Sequence, residues 1–438
     1  MSNNISGGVK LKNFIKKFKF VIYIFLLILI GILGYKTYKY INLQKLINTP
    51  ISKLTEEQKL EDFEYLYNTI IENYPFLGVN ERKYGVDWEA NKEKYIELIK
   101  QQPDFKVALE QIVSELNNSH TSILSKDFVE NLIYYYKNIS IFSWRQMHLR
   151  VLNNPLVQAR YGLDINTNPY LNTDSKFMEN YKSNAIVQDI VEGKVASIYI
   201  PSMISYDDIE QDRKLIMEYL NKVKSYQALV IDIRGNNGGD SSYWQYFLLP
   251  LLLKEQLGVK TYTFYKEGKL VEEYLKKSRQ NILKVDDLDL SSFQNLPPEI
   301  SEDFKYYTEN KLDILPSEED YIGFEGNIYL FVDSNVFSSS ESLAVYTKES
   351  GFATIIGQQT SGDGIGTEPL ITMLPNSGYI FRFSKEMGIT SDGTCNNEYG
   401  TTPDYVVPSA KYPDEYINLD ECIRKVLELE KIDIRELN

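Results

Sequence analysis

Three stretches of this sequence hold side chains able to attack a carbonyl or carry a proton. Ser338-Ser339-Ser340-Glu341 follows an apolar run, Asn327–Val332, and opens a helical pattern. A serine at such a turn sits beside the unpaired N–H groups of a helix start, where a developing oxyanion finds donors. The plainer reading is that one of the three serines caps the helix. Ser119-His120-Thr121 closes a run of helical segments. The chain has 2 His, His120 and His148, so an imidazole that deprotonates a serine near neutral pH is one of these. His148, in Trp144-Arg-Gln-Met-His-Leu, reads as structural. The stretch Cys395 to Asp404 offers Glu398, either a carboxylate that orients a histidine or a solvated loop side chain.

A fourth stretch brings backbone rather than side chains. The buried run Ala228–Ile233 ends in Arg234-Gly235-Asn236-Asn237-Gly238-Gly239-Asp240. Adjacent glycines reach positive φ and can turn free N–H groups outward to hold an oxyanion or a phosphate. The Gly-Lys-Ser/Thr ending of a P-loop is missing, and so is G-x-G-x-x-G spacing. A plain turn between strand and helix fits the same letters.

The surrounding pattern supplies the elements that carry these stretches. Thr55-Glu56-Glu57-Gln58 is a capping box, followed by Leu60, Phe63, Leu66, Tyr67, Ile70 and Ile71 at helical spacing. Further helices are predicted over 88–100 and 104–117, so 55–125 forms a helical N-terminal unit. Residues 126–185 show little periodicity and read as an insertion or cap. From 186 to 438 the pattern is α/β. Strands are predicted at Val195–Ser202, Ala228–Ile233, Asn327–Val332 and 353–357, and helices over 207–224, 241–254 and 340–349, with β-hairpins over 368–390.

Composition narrows the class. The 438 residues are 43% hydrophobic and 25% charged, which excludes a disordered or collagen-like chain. With 2 Cys, Cys395 and Cys422, there is neither a disulfide scaffold nor a Cys-based zinc cluster, although one disulfide stays open. Two histidines do not make a multi-histidine metal centre, and no metal or organic cofactor is expected. The net charge is −14, yet residues 1–45 hold eight Lys and no acid, leaving −22 on the rest. So acidic a body is unsuited to nucleic acid.

Residues 20–35 (FVIYIFLLILIGILGY) carry no charge and lie between Lys19 and Lys36. A span of this length is short, but flanking lysines reach the headgroups. Five Lys precede it within ten positions, which places 1–19 in the cytoplasm and the body outside. A cleaved signal peptide fits less well, because no small-residue cleavage site follows the run. The reading is a basic tail, 1–19, a membrane anchor, 20–35, and a linker, 36–54.

Together and in order, the four motifs resemble the tail-specific, or C-terminal-processing, family of serine peptidases, which includes the tricorn core. The matching pieces are Ser119-His120-Thr121; Asp232 to Gly239; Val332 to Glu341 followed by IIGQQTSGDG at 355–364; and Gly400-Thr-Thr-Pro403-Asp404. The resemblance implies a crotonase-like ββα spiral core beside the helical unit, and a peptide or protein substrate. It places the nucleophile three residues before Glu341, at Ser338, and an oxyanion hole at the Ser339 amide and an amide of Gly238-Gly239. Many members use a lysine in the loop after the IIG strand; here Asp363 stands there, so a Ser–Lys dyad is not expected. The tricorn-like branch pairs a Ser-His element with a glutamate about sixty residues beyond the nucleophile. Glu398 follows Ser338 by 60 residues. The implied set is Ser119, His120, Ser338 and Glu398, with Glu386 as the fallback carboxylate. A non-catalytic binding protein on this scaffold and a carboxylate-pair glycosidase are the rival readings.

Overall fold

A computed structural model describes residues 54–136, 139–163, 183–408 and 420–437, together with Gly31 and Gly34. The predicted span 20–35 lies outside the described residues apart from those two glycines, as do the basic tail and nearly all of the linker. Among the described residues no helix is long and apolar enough to cross a membrane.

The first helix, Glu56–Asn73, starts with the capping box that the sequence spells. Thr55 Oγ1 accepts the Gln58 N–H at 3.2 Å, and Gln58 Oε1 accepts the Thr55 N–H at 3.0 Å. Helices Leu77–Tyr84, Lys92–Gln101 and Phe105–Ser114 follow. Their apolar stripes do not form a core of their own. Phe63, Leu66, Ile70, Tyr95 and Leu109 share one buried cluster with Phe264, Phe381, Phe383 and Met387 from the C-terminal half of the chain. Burying each such side chain contributes roughly 1.5–3 kcal/mol. The helical unit is thereby fastened to the body that it must meet.

That body holds a six-stranded sheet in the order β13-β9-β8-β4-β3-β2. The strands are β2 (Ile186–Val191), β3 (Val195–Tyr199), β4 (Ala228–Asp232), β8 (Asn327–Val332), β9 (Thr354–Gly357) and β13 (Tyr405–Val406). All neighbours are parallel except β2 and β3. Both faces are covered, which is why β4 as far as Ile231 and β8 after Asn327 are apolar or aromatic. Leu229, Ile231, Leu330 and Val332 face helices Glu210–Val223 and Ser338–Ser350, while Ala228, Val230, Tyr329 and Phe331 face helix Glu421–Glu430. Chain ends of β4 and β8 therefore open side by side, carrying the Gly238-Gly239 loop and the Ser338 turn.

Two smaller sheets complete the fold among the described residues. One is antiparallel, β12-β5-β7-β6, built from β5 (Leu257–Lys266), β6 (Leu283–Lys284), β7 (Phe304–Ile314) and β12 (Met387–Ile389). The other is β1-β11-β10, from β1 (Ser122–Ile123), β10 (Leu370–Met373) and β11 (Ile380–Phe383). β1 pairs Ser122 with Arg382 and Ile123 with Phe381, and the Leu124 N–H extends the pairing to the Ile380 carbonyl at 2.8 Å. This short strand follows His120 at once, so it fixes that residue against the body.

In the predicted insertion, 126–185, the described part forms helices Lys126–Tyr135, Gln146–Leu152 and Pro155–Tyr161. Val129, Leu152 and Val157 pack on the outward residues Ile371 and Ile380 of β10 and β11. Cys395 and Cys422 are both free and buried in different clusters, so the disulfide left open by the sequence does not form.

His148 is buried here, with Nδ1 3.0 Å from the Tyr136 hydroxyl. Burial, helped by the charges of Lys385 and Arg145, pushes its pKa from 6.5 down to about 3. The unfolded chain takes up this proton below about pH 6.5 and the folded chain only near 3. Stability is thus fully present above 6.5 and falls as pH drops through that window. Between pH 7 and pH 5, wild type is expected to lose about 2 kcal/mol more than His148→Asn in urea unfolding; equal losses would remove His148 as the cause.

Candidate active site

The turn after β8 places Ser338 at the first position of helix Ser338–Ser350 with φ of 57°, in the left-handed region. A non-glycine residue there costs roughly 1–2 kcal/mol, so the surroundings must impose it. They do so through a second loop running alongside. Ser361 N–H donates to the Val336 carbonyl at 2.9 Å, Ser338 N–H to the Gly362 carbonyl at 3.4 Å, and Phe337 and Gly362 form a parallel bridge. Ser340, not Ser338, does the capping: its hydroxyl accepts the Phe337 N–H at 3.3 Å and lies 2.8 Å from the Phe337 carbonyl. The Ser338 hydroxyl stays available for His120, whose Nε2 is 3.1 Å away. The Phe337 ring lies against the imidazole, centroid to centroid 4.6 Å.

Close approach explains the adjacent glycines. A Cβ on Gly238 would sit 2.8 Å from both the Phe337 carbonyl and the Ser339 nitrogen, and Gly238 has φ of 100°. The loop is braced beneath by the rest of its motif. Asn236 is buried, donates to the Ile200 carbonyl at 2.9 Å and accepts the Gly238 N–H at 2.8 Å. Arg234 is buried between Asp232 and Asp420, at 2.6 and 2.7 Å. Burial works against its charge, but the two carboxylates hold its pKa above the ordinary value. Breaking such a triad by removing one partner strands an unpaired buried charge.

The expected oxyanion pair is therefore corrected at one position. The Gly238 amide is committed to Asn236 Oδ1 and is not a free donor. The N–H groups of Gly239 and Ser339 donate to no acceptor among the described residues. Gly239, Ser338, Ser339 and His120 line one cleft of about 820 Å³. Gly238 supplies clearance and Gly239 the remaining loop amide.

The carboxylate is also corrected. His120 Nδ1 is 2.9 Å from Asp363 Oδ2, not from Glu398. Glu398 is taken by Arg82, whose Nε and terminal nitrogen meet its two oxygens at 3.0 and 2.7 Å, while the other terminal nitrogen reaches Glu299 at 2.9 Å. A bidentate guanidinium pairs the charge and engages both carboxylate oxygens. Ser119 does not bridge to the imidazole either. Its carbonyl accepts from Arg382 at 2.9 Å, and its hydroxyl has no partner among the described residues. Ser119 and Glu398 line a separate pocket of about 440 Å³ that also borders Phe337. Glu386, the fallback, lines the main cleft, but Lys385 at 2.9 Å and the Tyr265 hydroxyl at 2.6 Å hold it.

Asp363, its side chain 9% exposed, lies beside the imidazole in left-handed backbone with φ of 60°. Burial alone would push its carboxyl up. The charge of His120 and hydrogen bonds from His120, Asn118 and Asn397 overcome this and hold the pKa below the usual carboxylate value. The residue is legible in the sequence as an acid standing where a lysine is common. Its use needed the register of the Ser361–Gly364 loop beside the serine turn. Glu341, one helical turn on, is buried and accepts from Asn396 at 2.6 Å and Thr401 at 2.7 Å; burial pushes its pKa up to about 7. It braces the helix from behind and makes no contact with His120.

Comparison with known proteins places this geometry in context. Residues 194–407 match the family model described as peptidase family S41. A solved structure of a candidate peptidase from Parabacteroides merdae is similar over 85% of this chain and 96% of its own, at 18% identity and a TM-score of 0.53. Mature CPAF, solved in complex with lactacystin, is similar over 80% of this chain and 93% of its own, at 14% identity and a TM-score of 0.51. The photosystem II D1 C-terminal processing protease aligns over 83% and 96% at 13% identity, with a TM-score of 0.40. At these identities the likeness is one of fold. No curated protein matches the sequence.

The two carboxylates are separable by a covalent serine probe. Asp363→Asn is expected to slow fluorophosphonate labelling of Ser338 by about 10³-fold or more, because an amide no longer holds the required tautomer. Glu398→Gln is expected to stay within about threefold. The reverse ranking would return Glu398 to the imidazole.

Proposed function

From membership of this chain in peptidase family S41, as a serine-type peptidase, we propose that it hydrolyses peptide bonds through an acyl-enzyme on Ser338, with His120 as base and Asp363 as the orienting acid. The observation that carries the reading is the continuous chain Ser338 Oγ, His120 Nε2, His120 Nδ1, Asp363 Oδ2, with gaps of 3.1 and 2.9 Å.

The chemistry follows from protonation states. With the Nδ1 proton donated to Asp363, Nε2 keeps its lone pair and accepts the Ser338 hydroxyl proton. Ser338 Oγ attacks the substrate carbonyl, and the oxygen that becomes negative turns to the Gly239 and Ser339 amides. One such preorganised donor is typically worth about 3 kcal/mol of barrier. Imidazolium forms beside the Asp363 carboxylate, which stabilises it and stays ionised. The proton then passes from Nε2 to the leaving amine. Water, deprotonated by the same nitrogen, releases the acyl group. A base paired with serine supports the branch that dispenses with lysine, although the acid is Asp363 and not the glutamate of that branch. Parallel β3, β4, β8 and β9, covered on both faces, support a crotonase-like core.

The placement is part of the proposal. The charge-free run 20–35 between Lys19 and Lys36, with its excess of lysine on the N-terminal side, supports a single membrane anchor with the catalytic body outside the cytoplasm. Carbonate extraction of the full chain is expected to leave it in the membrane fraction, and external protease is expected to remove the body; release by carbonate would overturn the anchor.

For the activity, the full chain in detergent is expected to cleave members of a fluorogenic peptide library and to take a fluorophosphonate on Ser338. Ser338→Ala should lose both by about 10³-fold or more, and Ser339→Ala should keep labelling. Labelling without cleavage of any peptide would overturn peptide hydrolysis, and neither would favour a non-catalytic binding protein.

A further inference from the structure

The acid that holds His120 is itself held. Asn118 Nδ2 donates to Asp363 Oδ2 at 2.9 Å, the oxygen that also faces His120 Nδ1. The other arm of the same carboxamide, Oδ1, accepts the backbone N–H of His120 at 2.9 Å and the hydroxyls of Thr121 at 3.0 Å and Ser384 at 3.3 Å. One side chain thus spans the imidazole–carboxylate bond, gripping the acid with one arm and the main chain of the base with the other. The turn that presents it is anchored in turn: Asn117, with φ of 51°, donates from its side chain to Asn80 Oδ1 at 2.9 Å.

The arrangement answers a geometric need. An aspartate carboxyl rotates about a soft torsion, so its plane can turn away from the ring unless a donor holds it. Asp363 comes from the loop after β9 and His120 from the turn after helix Phe105–Ser114; backbone pairing brings the two stretches together but leaves the carboxyl torsion to side-chain partners. A carboxamide offers an N–H donor to the acid and an acceptor to the base's amide, whereas a carboxylate or an aliphatic side chain offers at most one of these.

We propose that Asn118 is a positioning residue that acts through Asp363 and His120. It keeps the Asp363 carboxylate turned toward the ring at hydrogen-bond range of Nδ1, and so favours the Nδ1–H tautomer that leaves Nε2 facing Ser338. This rests on the serine-peptidase reading above. A mere loop staple would change stability and leave the tautomer and pH profile alone.

The test uses the full chain as wild type, Asn118→Ala and Asn118→Asp, read in two ways. The first is kcat and KM against pH on a fluorogenic peptide. The second is the ¹H–¹⁵N spectrum of the ring nitrogens, which is simple because the chain has 2 His. Asn118→Ala is expected to lower kcat about 10- to 100-fold with KM within about threefold, the scale of one lost hydrogen bond to a charged group. It should also turn the His120 ring from a single Nδ1–H tautomer into a mixture. Asn118→Asp keeps the acceptor arm but donates to Asp363 only while protonated, since two adjacent carboxylates do not both stay ionised. It should add a new ionisation to kcat/KM, activity falling as pH rises, that Asn118→Ala lacks.

An unchanged tautomer with unchanged kcat in Asn118→Ala overturns the proposal. If that variant does not fold, the absence of a new ionisation in Asn118→Asp overturns it. If wild type cleaves no peptide, the peptidase reading fails, and the ring spectra of wild type and the variants still decide the role of Asn118.

Discussion

The site depends on one contact 3.1 Å long between atoms 218 residues apart, His120 Nε2 and Ser338 Oγ. An imidazole pulls a proton from a hydroxyl only at hydrogen-bond range. Two parts of the fold hold that range. The aromatic and aliphatic cluster shared by the N-terminal helices and β5, β11 and β12 joins the halves broadly. β1, pairing with β11 two residues after His120, sets the distance finely. Hydrophobic burial is strong but non-directional, so it brings surfaces together without choosing a register. The short strand chooses it.

The Ser338 side of this contact is built from strained backbone held by polar braces. Ser338 and Asp363 both occupy left-handed conformations, and both belong to loops zipped together from Val336 to Gly362. Gly238 allows the neighbouring loop to come within contact of the Ser338 turn, and the buried Asp232–Arg234–Asp420 triad and Asn236 keep that loop from relaxing. Letters that read as one motif therefore serve different ends: charge pairing below, clearance in the middle, a free amide at Gly239.

Charge partnering decides which carboxylate is left to meet the imidazole. Glu398 had the right spacing in the chain, yet Arg82 claims both its oxygens. Glu386 lies in the cleft, yet Lys385 and Tyr265 occupy it. Asp363 alone among the three candidates for this role presents an oxygen to Nδ1. Its depressed pKa and the imidazole's position have the same origin, a carboxylate largely shielded from water that must find donors.

Local chemistry was legible in the sequence wherever it depends on neighbours along the chain. The capping box at Thr55, the apolar strands of the parallel sheet, the glycines that need positive φ and the serine ahead of its helix all follow from short-range geometry. The long antiparallel strands β5 and β7 were not, because a strand exposed along part of its length mixes Lys260, Glu309 and Lys311 with its apolar residues and blurs the period. Likewise the identity of the acid, the loss of Gly238 as a donor and the separation of the two cysteines were settled by packing. Spacing along a chain says how far apart two residues are in sequence. Only the folded arrangement of loops says which carboxylate a guanidinium has already neutralised and which is left for the histidine.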